Sequence, residues 1–359
     1  MMLMRPSSGF GATVSCGSSL SSASSSSSTS PLKRRLLTMT RSSIRIAVVG
    51  DVHDDWDLQE DGKALQFLQP DLVLFTGDFG NENVDLVRSI AGLKFPKAAI
   101  LGNHDCWYTR RFSMKGKDRV KAQLECLGEE HVGYRRIDFP GLKLSIVGGR
   151  PFSCGGDVIF RPELISARYG VHDMKESARK ICQAAIGTPE GHSIIFLAHN
   201  GPTGLGSQIS AICGRDWVLE GGDHGDPDLA QAISDLKEGY KLSIPLVIFG
   251  HMHKQLAYRR GLRKMVVHGT DGIIYLNGAV VPRVKRLMHT QEASISNSAT
   301  TSSRLTVPKP RGSVREFTVV EMLDGKLVRA AESWVSVTGD ATKLEEEYVF
   351  YNHVEDHIP

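Results

Sequence analysis

Five short polar clusters, each directly after an apolar and β-branched run, constrain the fold of this chain more than any other feature. Short continuous apolar runs are typical of parallel strands that are buried on both faces. The carboxyl ends of parallel strands meet at one edge of a sheet, so the clusters are predicted to converge on one crevice. The clusters are Gly50-Asp51-Val52-His53-Asp54, Gly77-Asp78, Gly102-Asn103-His104-Asp105, Ala198-His199-Asn200 and Gly250-His251-Met252-His253.

Strand and helix signals alternate from Ile44 onward, which predicts right-handed βαβ crossovers and a parallel sheet. Residues 316–337 are predicted to form a hairpin that turns at Asp324-Gly325. The acidic run Glu345-Glu346-Glu347 is expected on a solvated helix face. These signals predict an α/β fold, a sandwich of two mixed β-sheets flanked by helices. The predicted strands include residues 44–49, 72–75, 98–101, 144–147, 194–197 and 246–249, and the predicted helices include 62–68 and 84–93.

The composition argues against two classes of partner. The chain has 359 residues, of which 41% are hydrophobic and 23% charged, as is typical of a globular protein. Its net charge is +3 and its basic residues form no extended stripe, so nucleic acid is not an implied partner. No run approaches the roughly 20 apolar residues of a membrane span, which predicts a soluble protein.

Residues 1–43 differ from the rest of the chain. They contain no acidic residue, and serine dominates positions 15–30. This composition is typical of an organelle transit peptide, and the excess of serine over arginine favours the chloroplast stroma, with a disordered tail as the alternative. One domain is expected over residues 44–359, with a mobile polar loop at about 288–312. The basic residues of the N-terminal segment are Arg5, Lys33, Arg34, Arg35 and Arg41.

Asp51, Asp78, Asn103 and the five histidines of the clusters offer two carboxylates, one amide and five imidazoles, which can hold two divalent metals and leave one histidine for proton transfer. In chain order, the motifs GDxH, GD, GNHD, H and GHxH resemble the signature of the calcineurin-like metallophosphoesterase superfamily. The resemblance implies a four-layer α/β/β/α sandwich and a dinuclear metal-dependent phosphoester hydrolase. It implies one metal on Asp51, His53 and His253, a second metal on Asn103, His199 and His251, and Asp78 as the bridge.

Elementary chemistry agrees with these ligands. A carboxylate can offer one oxygen to each of two cations, so an aspartate suits the bridge. Asn103 adds a neutral oxygen, which keeps the site electrophilic. His251 and His253 would face opposite sides of a regular strand, so the chain must bend there, and Gly250 is expected to permit the bend. Mixed nitrogen and oxygen ligation suits manganese, iron or zinc.

The expected reaction is hydrolysis of a small phosphorylated substrate. Two cations lower the pKa of a bridging water, and the resulting hydroxide attacks phosphorus in line. His104 is predicted to be the general acid, with Asp105 fixing its tautomer and raising its basicity. The alternative role for His104 is a hydrogen bond that supports the ligands.

Two motifs depart from those of the superfamily's protein Ser/Thr phosphatases, which extend the second block to GDxVDRG and place an arginine before GNHE. Here Gly77-Asp78-Phe79-Gly80-Asn81 and Leu101-Gly102-Asn103 lack both arginines, which argues against protein phosphatase activity. These versions are similar to the plant and cyanobacterial branch. Arg150 and Arg215, in loops between the motifs, are the predicted substrate contacts. The alternative is that Arg215 pairs with a carboxylate and that Trp217 packs in the core.

Three functions remain open at this point. They are a phosphomonoesterase, a phosphodiesterase or nucleotide hydrolase with the same site, and a non-catalytic binding scaffold with the same fold. All seven predicted ligands are present, which favours the two enzymes. The substrate, the physiological metals and the oligomeric state do not follow from the sequence.

Overall fold

Two β-sheets packed face to face form the centre of the protein, seen here in a computed structural model that describes residues 43–113, 118–287 and 312–353. The predicted transit peptide, except Ser43, and the predicted polar loop, except Gly312, lie outside the described residues. The described strands are β1 (Ser43–Val49), β2 (Leu72–Phe75), β3 (Lys97–Ala99), β4 (Arg136–Phe139), β5 (Leu144–Gly148), β6 (Ser193–Leu197), β7 (Ser243–Phe249), β8 (Val266–His268), β9 (Ile274–Asn277), β10 (Val284–Leu287), β11 (Gly312–Leu323), β12 (Lys326–Thr338) and β13 (Ala341–Asn352). The described α-helices are α1 (Leu58–Leu68), α2 (Val84–Ala91), α3 (Arg119–Leu127), α4 (Pro162–Tyr169), α5 (Met174–Ala185) and α6 (Pro227–Gly239). Short 3-10 turns occupy His104–Cys106, Gly128–Glu130, Pro140–Leu142 and Ala257–Arg259.

Each sheet is mixed. The first sheet has the order β13-β12-β11-β1-β2-β3, with β10 paired to β11, and its strands β1, β2 and β3 are parallel. The second sheet has the order β4-β5-β6-β7-β9-β8, in which only the outer strands β4 and β8 of the described chain run antiparallel to their neighbours. Helix α1 packs on β11, β12 and β13, and α5 packs on β5, so helices cover both sheets. The prediction of an α/β fold with two mixed sheets flanked by helices is confirmed.

Side chains alternate between two apolar layers along the central strands. Ile46 and Val48 of β1 pack between the sheets, in one cluster with Ile146 and Ile195 of the second sheet. The intervening Ala47 belongs to the outer layer, which also contains helix side chains. Both faces of these strands are therefore dry, which explains why their sequences are continuously apolar rather than alternating.

Helix α1 begins at Leu58 rather than at residue 62, where the prediction placed its start. Asp57 is the N-cap, and its carboxylate accepts hydrogen bonds from the backbone N–H groups of Gln59 and Glu60, each at 2.9 Å. A capping aspartate stabilises a helix start by about 1 kcal/mol, which is enough to carry Gly62 inside the helix.

The acidic run at 345–347 lies on strand β13, so the prediction of a helix face was wrong. The strand forms the end of the first sheet and pairs with β12. Its charged side chains face outward, where Glu347 pairs with Arg329 and Glu345 pairs with Lys343. Charges on an edge strand oppose pairing with a further strand, so these residues suit an edge as well as they suit a helix face.

The described residues belong to one compact unit. None of the helices in the described ranges has the length and apolar character of a membrane span. The longest, α6, has 13 residues, against the roughly 20 that a hydrocarbon core requires.

Candidate metal centre

The five polar clusters lie at one edge of the two sheets. Three follow the neighbouring strands β1, β2 and β3, and two follow the neighbouring strands β6 and β7, all at carboxyl ends. Their side chains form three overlapping groups, in each of which the ligand atoms lie within 4.8 Å of one another. The groups are Asp51, His53 and His253; His53, Asp78 and His104; and Asp78, His199 and His251. We call Asp51, His53, Asp78, Asn103, His199, His251 and His253 the cage.

Hydrogen bonds join the loops of the first sheet to those of the second. The backbone N–H of His251 donates to Oδ1 of Asp51 at 3.0 Å, and Thr76 Oγ1 donates to the same oxygen at 3.3 Å. Nδ1 of His199 donates to the backbone carbonyl of Thr76 at 2.7 Å. Donation from Nδ1 fixes the His199 tautomer and directs Nε2 into the cage.

Three cage residues have left-handed backbone conformations, which are uncommon for residues other than glycine. The φ angles are 43° at His53, 49° at Asp78 and 64° at His251. Such conformations cost about 1 kcal/mol or more each and tend to occur at functional sites. The bend expected at Gly250 is therefore located at His251, where the left-handed residue turns the chain after β7.

Gly102 and Gly250 are required because side chains approach them closely. A Cβ on Gly102 would lie 2.3 Å from Oδ1 of Asp78 and 2.4 Å from Cε1 of His199. A Cβ on Gly250 would lie 2.3 Å from Oδ1 of Asp51. Any larger residue at either position would push a ligand out of place.

Acceptor atoms face acceptor atoms around His199. Its Nε2 lies 2.9 Å from Oδ1 of Asn103 and 3.3 Å from Oδ1 of Asp78. Because Nδ1 carries the proton that is donated to a carbonyl, Nε2 has only a lone pair in the neutral ring. Three lone pairs that converge in this way repel one another unless a proton or a cation lies between them.

The same arrangement recurs on the other side of Asp78. Nε2 of His53 lies 3.0 Å from Nε2 of His253, and Nε2 of His253 lies 3.3 Å from Oδ2 of Asp51. Oδ2 of Asp51 is buried and makes no hydrogen bond to any described residue. A buried carboxylate oxygen without a donor is costly, and a cation would satisfy it. The residues present therefore fit a dinuclear site for divalent metals.

Charge keeps the cage carboxylates ionised. Burial alone would raise the pKa of Asp51, but the ring of His253, whose Nε2 lies 3.3 Å from Oδ2, and the charges of nearby histidines hold the pKa well below its ordinary value. Burial opposes charge on Asp78 as well, and His199 lowers its pKa. Burial alone would lower the pKa of His199. The negative charges of Asp78 and Asp51 raise it more strongly, so the pKa rises to about 10. Without ions His199 thus carries a second proton on Nε2, in the position where a metal would bind. Burial lowers the pKa of His251 to about 3, so this ring is neutral.

His104 lies at the margin of the cage. Its backbone N–H donates to Oδ1 of Asp78 at 2.9 Å, and its Nδ1 lies 2.7 Å from Oδ1 of Asn81. Its ring stacks on Trp107 with 4.7 Å between centroids and 10° between planes. With Nδ1–H donated to the Asn81 oxygen, Nε2 is the atom free to exchange a proton with a substrate. Burial lowers the pKa of His104.

Asp105 does not orient His104, so this part of the prediction was wrong. Its Oδ1 accepts from the backbone N–H of Phe79 at 3.0 Å, and its Oδ2 accepts from that of Gly102 at 2.8 Å. The carboxylate therefore fastens the loop after β2 to the loop after β3. The short 3-10 turn directs Asp105 inward and His104 outward, which leaves Asn81 to hold the imidazole.

Arg150 is not placed at the open side of the cage. Its side chain is 1% exposed, with Nη2 2.8 Å from Oδ1 of Asp226 and Nε 2.9 Å from Oδ2 of Asp228. Helix α6 begins between these two aspartates, so the arginine joins the loop after β5 to the start of α6. The expected substrate contact at Arg150 is corrected, because two buried carboxylates already bind its guanidinium.

Arg215 lies beside His224, in the loop between β6 and α6. Its guanidinium packs over Gly222, where a Cβ would lie 2.3 Å from Nη2, and Asp216 pairs with Arg263 at 3.1 Å. Trp217 is exposed rather than part of the core. A substrate contact at Arg215 stays a prediction.

Two residues of this centre, Thr76 and Asn81, were not found by sequence reasoning. Thr76 follows β2 and directly precedes Gly77-Asp78, and Asn81 is the last residue of the GDFGN stretch. A polar residue next to a ligand motif at a strand end was the available signal for both.

The family profile described as calcineurin-like phosphoesterase matches residues 44–255 of this chain, a segment that contains all seven cage residues. A comparison with curated proteins gave no match. Among solved structures, a dimetal phosphatase from Danio rerio aligns with 9% identity over 86% of this chain and 98% of its own, with a TM-score of 0.43. A purple acid phosphatase from yellow lupin (Lupinus luteus) seeds aligns with 14% identity over 88% of this chain and 55% of its own, with a TM-score of 0.37.

The family profile covers more than half of the chain, and the motifs within it are those that form the cage. The chain therefore belongs to the calcineurin-like phosphoesterase family and is a metal-dependent phosphoesterase.

Proposed function

We propose that this protein hydrolyses phosphoesters of small molecules at a dinuclear metal centre, with His104 as the general acid. The observation that carries the proposal is the convergence of seven ligand side chains whose lone pairs face one another at the carboxyl edge of two sheets. Asp51, His53 and His253 would hold one cation, Asn103, His199 and His251 the other, and Asp78 both. When bound, the paired cations supply Lewis-acid stabilisation of phosphoryl oxygens and acidify a water molecule.

The cage is open on one side. The side chains of His53 and His253 are 25% and 40% exposed, whereas those of Asp51, Asp78 and His199 are 3% exposed or less. A phosphoryl group therefore has one direction of approach, past His53, His253 and His104. Because the carboxylates are reached only past these half-buried histidines, the geometry supports a small phosphorylated substrate rather than a folded protein surface.

His104 completes the reaction on the side of the leaving group. Oδ1 of Asn81 holds Nδ1–H, and the bond from the His104 N–H to Asp78 fixes the backbone, so Nε2 points away from both anchors. In hydrolysis, water provides the new oxygen on phosphorus, the bond from phosphorus to the leaving oxygen breaks, and the proton of Nε2 passes to that oxygen. Burial lowers the pKa of His104 and so favours release of that proton.

His104→Ala tests this assignment. We expect kcat on alkyl phosphates to fall by about 10²–10⁴, the usual contribution of a general acid, with metal content unchanged. The loss on p-nitrophenyl phosphate should be smaller, because p-nitrophenolate leaves without a proton. His172→Ala, at an exposed histidine that pairs with Glu176, is the control and should retain wild-type turnover.

Equal losses on both kinds of substrate would assign His104 to a supporting hydrogen bond and refute the acid role. If the wild-type protein loaded with Mn²⁺ hydrolysed neither monoesters nor diesters, or if excess chelator left its turnover unchanged, the proposed function itself would be refuted.

A further inference from the structure

Two large aromatic side chains beside His104 are exposed to solvent in the described fold. Trp107 is 42% exposed and Tyr108 is 65% exposed. They directly follow the 3-10 turn His104–Cys106, and the Trp107 ring stacks on the His104 ring. We call Trp107 and Tyr108 the aromatic wall. Large aromatic rings that stay in water next to a reactive site are typical of ligand contacts.

The backbone of the aromatic wall is fixed by a buried acid. Glu82 is 3% exposed, and its Oε1 accepts from the backbone N–H groups of Tyr108 at 2.7 Å and Thr109 at 2.6 Å. Its Oε2 accepts from the hydroxyl of Thr109 at 3.1 Å, and its own N–H donates to the carbonyl of His104 at 3.2 Å. Charge-assisted bonds of this kind hold the segment in place without burying either ring.

An arginine holds the same segment from the other side. Arg161 donates from Nε to the carbonyl of Cys106 at 3.1 Å and from Nη2 to the carbonyl of Trp107. Cys106 itself is fully buried. The rings thus project from a chain segment that is anchored on both sides, so they are ordered before any ligand arrives.

The position of the aromatic wall relates it to the leaving group. The ring nitrogen of His104 lies within 4.8 Å of ligand atoms of His53 and Asp78, and the Trp107 centroid is 4.7 Å from the His104 centroid. The indole therefore adjoins the residue that would protonate the leaving oxygen. An alcohol group whose oxygen receives the His104 proton lies next to His104 and so close to Trp107.

We propose that the aromatic wall binds a planar ring in the leaving group, so that the preferred substrates are phosphoesters of aromatic or heteroaromatic alcohols. The inference rests on the proposed function and specifies its substrate class. The two rings carry no charge, so they suit the alcohol portion of the substrate and not its phosphate. Flat rings stack on indole and phenol faces with a favourable quadrupole match, whereas saturated rings of similar size offer only apolar contact.

Benzyl phosphate and cyclohexylmethyl phosphate test the inference, since both release primary alcohols and differ in the planarity of the ring. With the Mn²⁺-loaded wild-type chain we expect kcat/KM to be roughly fivefold higher for benzyl phosphate, the size of one aromatic pair interaction. Trp107→Leu and Tyr108→Ala should each bring the ratio of the two kcat/KM values closer to one. Tyr240→Ala is the matched control, because Tyr240 is an exposed tyrosine before the start of β7, at the opposite edge of the sheet.

Binding of non-hydrolysable phosphonates provides a second readout. Benzylphosphonate should bind the wild-type chain more tightly than cyclohexylmethylphosphonate in calorimetry, and Tyr108→Ala should reduce the difference. Comparison of kcat/KM for a 5′-nucleotide and for ribose 5-phosphate would show whether the preferred ring is a nucleobase or a simple arene.

If Trp107→Leu and Tyr108→Ala both kept the wild-type ratio of the two kcat/KM values, ring binding by the aromatic wall would be refuted. The proposed function would stand, because wild-type hydrolysis would be intact. A different result would be that Trp107→Leu lowers kcat/KM equally for both substrates while Tyr108→Ala leaves their ratio unchanged. That result would assign Trp107 to positioning His104 and would also refute ring binding by the aromatic wall. Absence of hydrolysis in the wild-type chain, with selective phosphonate binding retained, would instead refute the proposed function.

Discussion

Two buried groups of charged side chains lie near the carboxyl edge of the sheets, and they differ in where their positive charge comes from. The first is the cage. The second, which we call the arginine cluster, consists of Arg150, Asp226 and Asp228, with the guanidinium bound to both carboxylates. The arginine cluster contains a permanent cation, whereas the cage contains only imidazoles, whose Nε2 lone pairs face other ligand atoms when the rings are neutral. Both groups contain two buried aspartates, so the permanent internal cation is what distinguishes the structural salt bridge from the ion site.

The arginine cluster also holds a proton of its own. Burial raises the pKa of Asp226 to about 7 against the attraction of Arg150. Oδ2 of Asp226 is buried and makes no hydrogen bond among the described residues, so it is the oxygen that would carry the proton. Below a pH of about 7, one guanidinium, one carboxylate and one carboxylic acid make a neutral group that needs no external ion.

The largest expected effect is the loss of turnover in Asp78→Asn. An amide cannot bridge two cations as a carboxylate does, so several kcal/mol of stabilisation is lost in the transition state. We expect kcat to fall by about three orders of magnitude and the metal content per chain to fall below two. Steady-state kinetics and elemental analysis of the purified variant would check both. A variant with near-normal turnover and two bound metals would contradict the role of the bridge.

Arg150→Met should affect stability regardless of metal. Removal of one partner of a buried ion pair leaves uncompensated charge, so the free energy of unfolding should decrease by about 3–5 kcal/mol. Urea denaturation with and without Mn²⁺ would measure it. Arg88→Met is the control, because Arg88 pairs with Asp85 on the exposed face of α2 and surface pairs contribute less than about 1 kcal/mol. If Arg150→Met and Arg88→Met lowered the free energy of unfolding by similar amounts, the arginine cluster would be no more stabilising than a surface ion pair.

A smaller effect is expected from pH at Asp226. The folded chain keeps a proton on Asp226 up to a pKa of about 7, while the unfolded chain releases it near 3.8. Native Asp226 thus binds more protons within this window, and its contribution to stability is complete at low pH and is lost as pH rises to about 7.

Asp226→Asn should remove that dependence. From pH 5 to pH 8 the wild-type chain should lose roughly 2 kcal/mol more stability than the variant does. Urea unfolding at the two pH values would test the sign, with Asp235→Asn, at an exposed carboxylate on the same helix, as the control. If wild type and Asp226→Asn changed in parallel, the proton would not belong to Asp226.

Several features of this protein could be predicted from its sequence because they depend on local chain properties. Strands that are buried on both faces must be continuously apolar, so β2 matches its predicted bounds and β5 ends within one residue of them. Asn83 caps α2 and Asp173 caps α5 through their own side chains, which act within one helical turn. The ligand motifs follow strand ends, and the edge rule for parallel strands brings them together.

Other features were decided by tertiary structure, because they depend on loop geometry and on partners distant in sequence. Asn81 rather than Asp105 holds His104, since a 3-10 turn rotates neighbouring side chains to opposite sides. Arg150 binds aspartates 76 and 78 residues away, a pairing that no local pattern shows. Glu82 and Arg161, which anchor the backbone of the aromatic wall, are likewise distant from it in sequence.

The sequence by itself determined the candidate ligands, the strands that precede them and the family, because periodicity and motif spacing are properties of short segments. The tertiary structure alone decided which charges are matched internally and which await a cation. Electrostatic compensation acts over a few ångströms between segments that are far apart in the chain, so it depends on how the loops pack.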